Sequence, residues 1–318
     1  MTAANILKLK PLWTASTGAN PALFTVCRFA VYWGMKRHLG LALLLSVTPV
    51  FAQKPVVADG GVVNAASFAI DPNTKLGAPT GVGSLVAIFG TFPASTVAAA
   101  DTIPYSTSLG GVSVTIGGKQ APLQNIILDP AASGGFPFIT AQVPFDAISA
   151  PSANADVVVT VNGVNSDPKP MPFRSFAPGI FTIPANGQGN AVMVMTDGDN
   201  VGKIAAVNPQ AVLNFPAAPI KIGQRAFFYA TGLGALTPPV KEGEGGLDGV
   251  THEVLPHPVV TIGGVPATVE YAGISGFPGV YQINIIIPTG VPIGNSVPVQ
   301  IKSADGAIVS NTGTIAIQ

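Results

Sequence analysis

The sequence predicts an all-β protein built as two tandem β-sandwiches. Three observations carry this. Apolar residues alternate in short β-branched runs, 37 Gly and 30 Pro cut the chain between them, and one hairpin-and-strand pattern occurs twice. The clearer copy is VTIGGVPATVEYAG, residues 260–273, followed by QINIIIP, residues 282–288. The other is VTIGGKQAPLQNIILDP, residues 114–130, followed by FITAQVP, residues 138–144. In both hairpins a Gly-Gly pair supplies the positive φ angles of a two-residue turn. In both strands a closing proline ends the run, because it has no N–H for a sheet ladder. Gly117 to Gly263 is an offset of 146 residues and Gln142 to Gln282 is 140, so the copies differ mainly in loop length.

The first 52 residues stand apart. Met35-Lys36-Arg37 opens a basic segment, residues 39–47 are apolar, and Val50-Phe51-Ala52 closes it, which is the layout of a secretory signal peptide over residues 35–52 cleaved after Ala52. Its apolar run is too short to span a membrane. Residues 1–34 are read as a misassigned N-terminal extension, with Met35 the initiator. Cleavage removes Cys27, Trp13 and Trp33, and with them any disulfide, thiol nucleophile or lipid-bearing cysteine. It also removes five of the 15 Lys/Arg and none of the 15 Asp/Glu, leaving a net charge of −5. A mildly acidic exported chain with no basic patch is a poor partner for nucleic acid. The expected location is secreted or cell-surface, with no membrane span after cleavage.

The elements follow in order. Residues 53–60 read as a linker. VVNAASF (62–68) and GSLVAIFGT (83–91) are the first two strands, and residues 92–108 are a loop of small residues. After the first hairpin and FITAQVP comes DVVVTVNGV (156–164), whose Asn162-Gly163 signals a hairpin turn. FAPGIFT (176–182) joins the halves, and its large apolar residues suit packing at an interface better than a free linker. The second half opens with GNAVMVMTDGDN (189–200) and an irregular VNPQAVLNFPAAPI (207–220). GQRAFFYATGLG (223–234) then matches GSLVAIFGT in position and pattern. Residues 236–257 form a long loop ahead of the second hairpin, and residues 296–318 finish the chain with a turn at Asp305-Gly306. The first sandwich is thus expected over residues 61–178 and the second over residues 179–318.

FAPGIFT, NPQAVLN, YATGLG, the VTIGGVPATVEYAG hairpin and GFPGVYQINIIIP occur in that order. Together they resemble the Solibacter-type uncharacterised C-terminal domain of secreted acidobacterial proteins, over about residues 176–318. The GGVPATV hairpin is similar to IPT/TIG-type immunoglobulin-like domains. The resemblance implies two immunoglobulin-like β-sandwich modules in a secreted protein. It brings no catalytic residues with it.

The residues that could carry chemistry point away from catalysis. His252 and His257 sit in HEVLPH, where the second histidine falls one position too late for the zinc pattern H-E-x-x-H and Pro256 opposes the helix that pattern needs. No G-x-S-x-G elbow occurs. Carboxylates such as Asp197, Asp199 and Asp305 lie in turns, which Asp favours for backbone reasons. Neither the Asp197-Gly198-Asp199-Asn200 turn nor Glu242, Glu244 and Asp248 has the spacing of an EF-hand, so a structural calcium ion is the one cofactor left open and no metal ligand is assigned. Phe227, Phe228, Tyr229, Tyr271, Phe277 and Tyr281 read first as core residues and second as a sugar-stacking surface.

The expected function is a non-enzymatic binding, adhesion or spacer role toward an extracellular protein or polysaccharide. The alternative is a carbohydrate-binding module or weak glycan hydrolase. Binding variation in a sandwich concentrates in the loops at its ends. The loop at 236–257 holds Lys241, Glu242, Glu244, Asp248, His252 and Glu253 in a chain only 9% charged, and these are the expected partner-binding residues.

Overall fold

The computed structural model describes residues 53–147, 154–207 and 215–318. The expected signal peptide, the expected N-terminal extension and the NPQAVLN motif lie outside the described residues. The described residues belong to one compact unit, whose strands make four sheets in two face-to-face pairs. No α-helix occurs among the described residues, and none is long and apolar enough to cross a membrane.

Each half has seven principal strands. In the first half these are Val56–Asn64, Leu85–Thr91, Val112–Ile116, Leu123–Ile127, Phe138–Gln142, Asn154–Val161 and Lys169–Pro172. The first, second, fifth and fourth pair side by side in one sheet, and the third, sixth and seventh in the other. In the second half they are Met193–Met195, Arg225–Thr231, Val259–Ile262, Thr268–Ile274, Tyr281–Ile286, Gly294–Lys302 and Gly313–Ile317, with the same pairing order. A 1-2-5-4 sheet facing a 3-6-7 sheet is the constant-type immunoglobulin arrangement. The duplication extends to single hydrogen bonds. Val159 N–H donates to Ser166 Oγ at 3.0 Å, and Ile301 N–H donates to Ser310 Oγ at the same distance.

The two Gly-Gly turns adopt the expected backbone, with φ of 58° and 77° at Gly117 and Gly118 and of 57° and 85° at Gly263 and Gly264. Two expectations need correcting. The stretch read as a linker already carries the first strand: Val56 and Val57 pair with Thr91 and Gly90, and the ladder resumes at Val62 after an irregularity. Gln142 and Gln282 are also not equivalent. Gln142 stands opposite Leu85 but Gln282 stands opposite Tyr229, so the structural counterpart of Gln142 is Ile286, opposite Arg225.

The cores are separate. Val86, Ile88, Val114, Ile139 and Val159 pack in the first, and Phe228, Val260, Tyr281, Ile283 and Val299 in the second. Alternation along Leu85–Thr91 sends Val86 and Ile88 inward, yet the outward Leu85 and Ala87 are only 1% and 2% exposed. Leu85 is met there by Thr231 and Gly279 of the second sandwich. FAPGIFT makes this junction: Gly179–Ile180 pairs with Thr231 and Ala230, and Asn311 takes the Ile180 N–H on its Oδ1 while its Nδ2 donates to the Ile180 carbonyl. From the first sandwich Asn64 Nδ2 donates to the Ala177 carbonyl at 3.2 Å.

Candidate functional site

Two features meet at the junction. One is an aromatic groove of about 570 Å³ on the outer face of the first sandwich's 1-2-5-4 sheet. Outward positions on paired strands supply Phe89 and Phe138, whose ring centroids are 5.7 Å apart. Phe68 extends this row at 6.4 Å from Phe89. Phe136 stands at the mouth and is 71% exposed. Phe181 of the connecting segment and Tyr229 of the second sandwich form the opposite wall. Burial pushes the Tyr229 phenol up, which keeps it neutral. Besides the Tyr229 hydroxyl, Gln124, Ser133 and Thr140 are the polar side chains among the lining residues, and no charged side chain lines the groove. A concave apolar site with a few polar groups suits a neutral ligand or an apolar side chain.

The second feature is the long loop. It folds back on itself through Thr237 and Glu253, which exchange two backbone hydrogen bonds of 2.7 and 3.0 Å. Its tip docks on the first sandwich. Gly243 N–H donates to Gln142 Oε1 at 2.7 Å, and Tyr105 N–H donates to the Gly243 carbonyl at 2.9 Å. The buried amide of Gln142 thus accepts from this loop through Oε1, while its Nε2 has no hydrogen-bond partner.

The structure sorts the expected partner-binding residues into two sets. Lys241, Glu242 and Asp248 are exposed, and Glu244 is half-buried. His252 is not on the contact surface: it is 3% exposed, beneath the loop. Its Nδ1 lies 2.7 Å from the Pro238 carbonyl, and its Nε2 lies 3.0 and 3.1 Å from the two Asp248 carboxylate oxygens. The Pro238 carbonyl, followed by Asp248 and Glu244, raises the His252 pKa against the opposing effect of burial. Asp248 is held below the usual carboxylate range, first by the Val250 N–H and then by His252. Glu253 is half-buried and pairs with His257 at 3.1 Å. The two histidines thus serve separate carboxylates.

Among the described residues no three His, Cys, Asp or Glu side chains gather as a metal site requires. Asp197, one of the calcium candidates, instead accepts the Arg225 N–H on both carboxylate oxygens, at 3.1 and 3.0 Å. The aromatic candidates also divide. Phe228 and Tyr281 are wholly buried, and Tyr281 spends its hydroxyl on the Gly234 carbonyl at 2.5 Å. Tyr271 donates to the Ile274 carbonyl at 2.8 Å, and burial pushes its pKa up to about 12. Of the six, Tyr229 alone lines the groove. The sequence reads Phe68 as a strand end and Phe181 as an interface residue; in the structure both, like Phe136, lie outside strands, where no periodicity marks a shared face.

No family model and no curated protein matches the chain. Among solved structures it is similar to the Yersinia pseudotuberculosis adhesin InvE, at 14% identity over 75% of this chain and 57% of that one, with a TM-score of 0.20. It is also similar to the C-terminal domain of the Streptococcus agalactiae AgI/II polypeptide BspA, at 9% identity over 81% of this chain and 100% of that one, with a TM-score of 0.18. A third likeness is to the glycoside hydrolase family 107 endo-fucoidan hydrolase MfFcnA9, at 10% identity over 82% of this chain and 35% of that one, with a TM-score of 0.13. The chain spans little more than half of the first of these structures. The fold is defined by the strand pairing above.

Proposed function

We propose that this is an exported, non-enzymatic binding or adhesion protein whose ligand contact is the aromatic groove at the junction of its sandwiches. The observation that carries the reading is the row Phe68, Phe89 and Phe138, faced by Phe181 and Tyr229 with no charge between them. A pure spacer has no need to hold such rings half-open to solvent. The exposed side of the loop, with Lys241, Glu242, Glu244 and Asp248, is a second contact for an extracellular partner. The motif resemblance to secreted acidobacterial domains and the signal-peptide pattern support export.

A polysaccharide is the second reading, favoured by the same rings with Gln124 and Thr140 beside them, since sugars stack on aromatic faces and use amide and hydroxyl partners. Hydrolysis would need two carboxylates flanking a cleft, and none lines the groove. The test is a glycan array and an extracellular-protein pull-down with three proteins: wild type, Phe136→Ala and Lys241→Ala/Glu242→Ala/Glu244→Ala. Loss of capture with Phe136→Ala places the ligand in the groove, and loss with the triple variant places it on the loop. Full capture by both sinks the reading. Export is checked by mass spectrometry of the secreted protein, with Gln53 expected at its N-terminus.

A further inference from the structure

We infer that the loop at residues 236–257 is a pH-sensitive strap between the sandwiches, fastened while His252 is protonated and slackened when the ring loses its proton. The argument begins with donor and acceptor counts. Both ring nitrogens face acceptors, the Pro238 carbonyl on one side and the Asp248 carboxylate on the other. An imidazolium has two N–H donors and satisfies both. A neutral imidazole has one donor and one lone pair, so one acceptor must then face a lone pair. The ring is 3% exposed, and water has little room to make up the loss.

Burial opposes the cation, and the acceptors around the ring outweigh it. Asp248 and Glu244 on the loop both raise the His252 pKa. From the Thr268–Ile274 strand the neutral Tyr271 hydroxyl lies 3.3 Å from the His252 carbonyl. Glu253, the next residue, is engaged by His257. No cation among these groups opposes the charge.

The mechanical link to the first sandwich is short. His252 ties the start of the loop, at Pro238, to Asp248 beyond the tip. Asp248 in turn accepts the Val250 N–H at 3.0 Å. This closure presents Gly243 to Gln142 and Tyr105. Because the folded pKa of His252 lies above its ordinary 6.5, the stabilisation is fully present below 6.5 and fades as pH rises through the folded value. Asp248, held below 3.8, stays ionised throughout that range. The strap is therefore fastened in mildly acid medium and loosens toward alkaline pH.

Amide hydrogen exchange of the full chain, followed residue by residue by NMR and divided by the intrinsic rate at each pH, tests this. Protection of the Tyr105 and Gly243 amides should fall about threefold between about pH 6 and pH 9, in step with the His252 ring titration. Amides of the Val259–Ile262 strand should stay far better protected than those of Tyr105 and Gly243 at both pH values, which separates strap opening from global unfolding. Asp248→Asn, at a side chain 57% exposed, should fold and lose the pH step. Unchanged Tyr105 and Gly243 protection while His252 titrates would overturn the inference. So would a full pH step in Asp248→Asn.

Discussion

The two sandwiches share a strand plan, yet the same backbone position does different work in each. Gly83 and Gly223 open the second strand of their sandwich, with φ of 67° and 84°, and donate to Val143 and Ile287 carbonyls at 2.8 and 2.9 Å. Around Gly223 there is open space. A Cβ on Gly83 would meet the Phe145 ring at 2.3 Å and the Tyr281 hydroxyl at 3.0 Å. Eight residues on, Thr91 is exposed, while its counterpart Thr231 is fully buried. Thr231 Oγ1 accepts the Leu85 N–H at 2.8 Å and donates to the Gly279 carbonyl at 2.7 Å, so it bridges the sandwiches. Duplication supplied equivalent turns and strand ends; docking one copy against the other made them unequal.

That inequality can be measured. The largest difference is expected at the glycines. Gly83→Ala should cost about 3 kcal/mol, from strain at positive φ plus overpacking, against about 1 kcal/mol for Gly223→Ala, which meets only the strain. Equal losses in urea unfolding would break the comparison. Next come the threonines. Thr231→Val strands a buried N–H and a buried carbonyl and should cost about 2 kcal/mol, whereas Thr91→Val should stay within about 0.5 kcal/mol. A silent Thr231→Val would show that the bridge contributes nothing to stability.

The hairpins should instead behave alike. A Cβ on Gly118 or Gly264 meets nothing within 4 Å, so Val at either site should cost about 1 kcal/mol, all of it backbone strain. Clearly unequal losses would mean that only one turn depends on its glycine pair. The smallest effect belongs to the loop that has no equal in the first sandwich. The melting midpoint should fall by about 1 °C as pH rises through the His252 titration, and Asp248→Asn should erase the step.

What the sequence revealed depended on the range of the interaction. The Gly-Gly turns were legible because a positive φ is a local demand on residue type. The equivalence of Gln142 with Gln282 failed because a period-two pattern looks the same after a slip of four residues; only pairing with Leu85 and Tyr229 fixes the register. The first strand was placed late because Gly60 and Gly61 interrupt its alternation. The loop at 236–257 stood out by length and charge. Charge alone could not reveal that His252 points inward, since that depends on Pro238 fourteen residues earlier. The groove was least legible, because Phe68, Phe136 and Phe181 come together only when both sandwiches are in place.

The Gly179–Ile180 junction has a consequence for a protein under load. If the connecting segment is pulled, tension passes Ala177, whose N–H donates to the Gly232 carbonyl, and then reaches Gly179 and Ile180, which lie antiparallel to Thr231 and Ala230 and are held by Asn311. Antiparallel ladder bonds lie perpendicular to the strand, so a pull along Gly179–Ile180 loads them together in shear. Together with the Thr231–Leu85 and Gly243–Gln142 bonds, this joint shares a load between the sandwiches, and its rate of rupture, more than the equilibrium stability of a sandwich, would set how long the two stay docked.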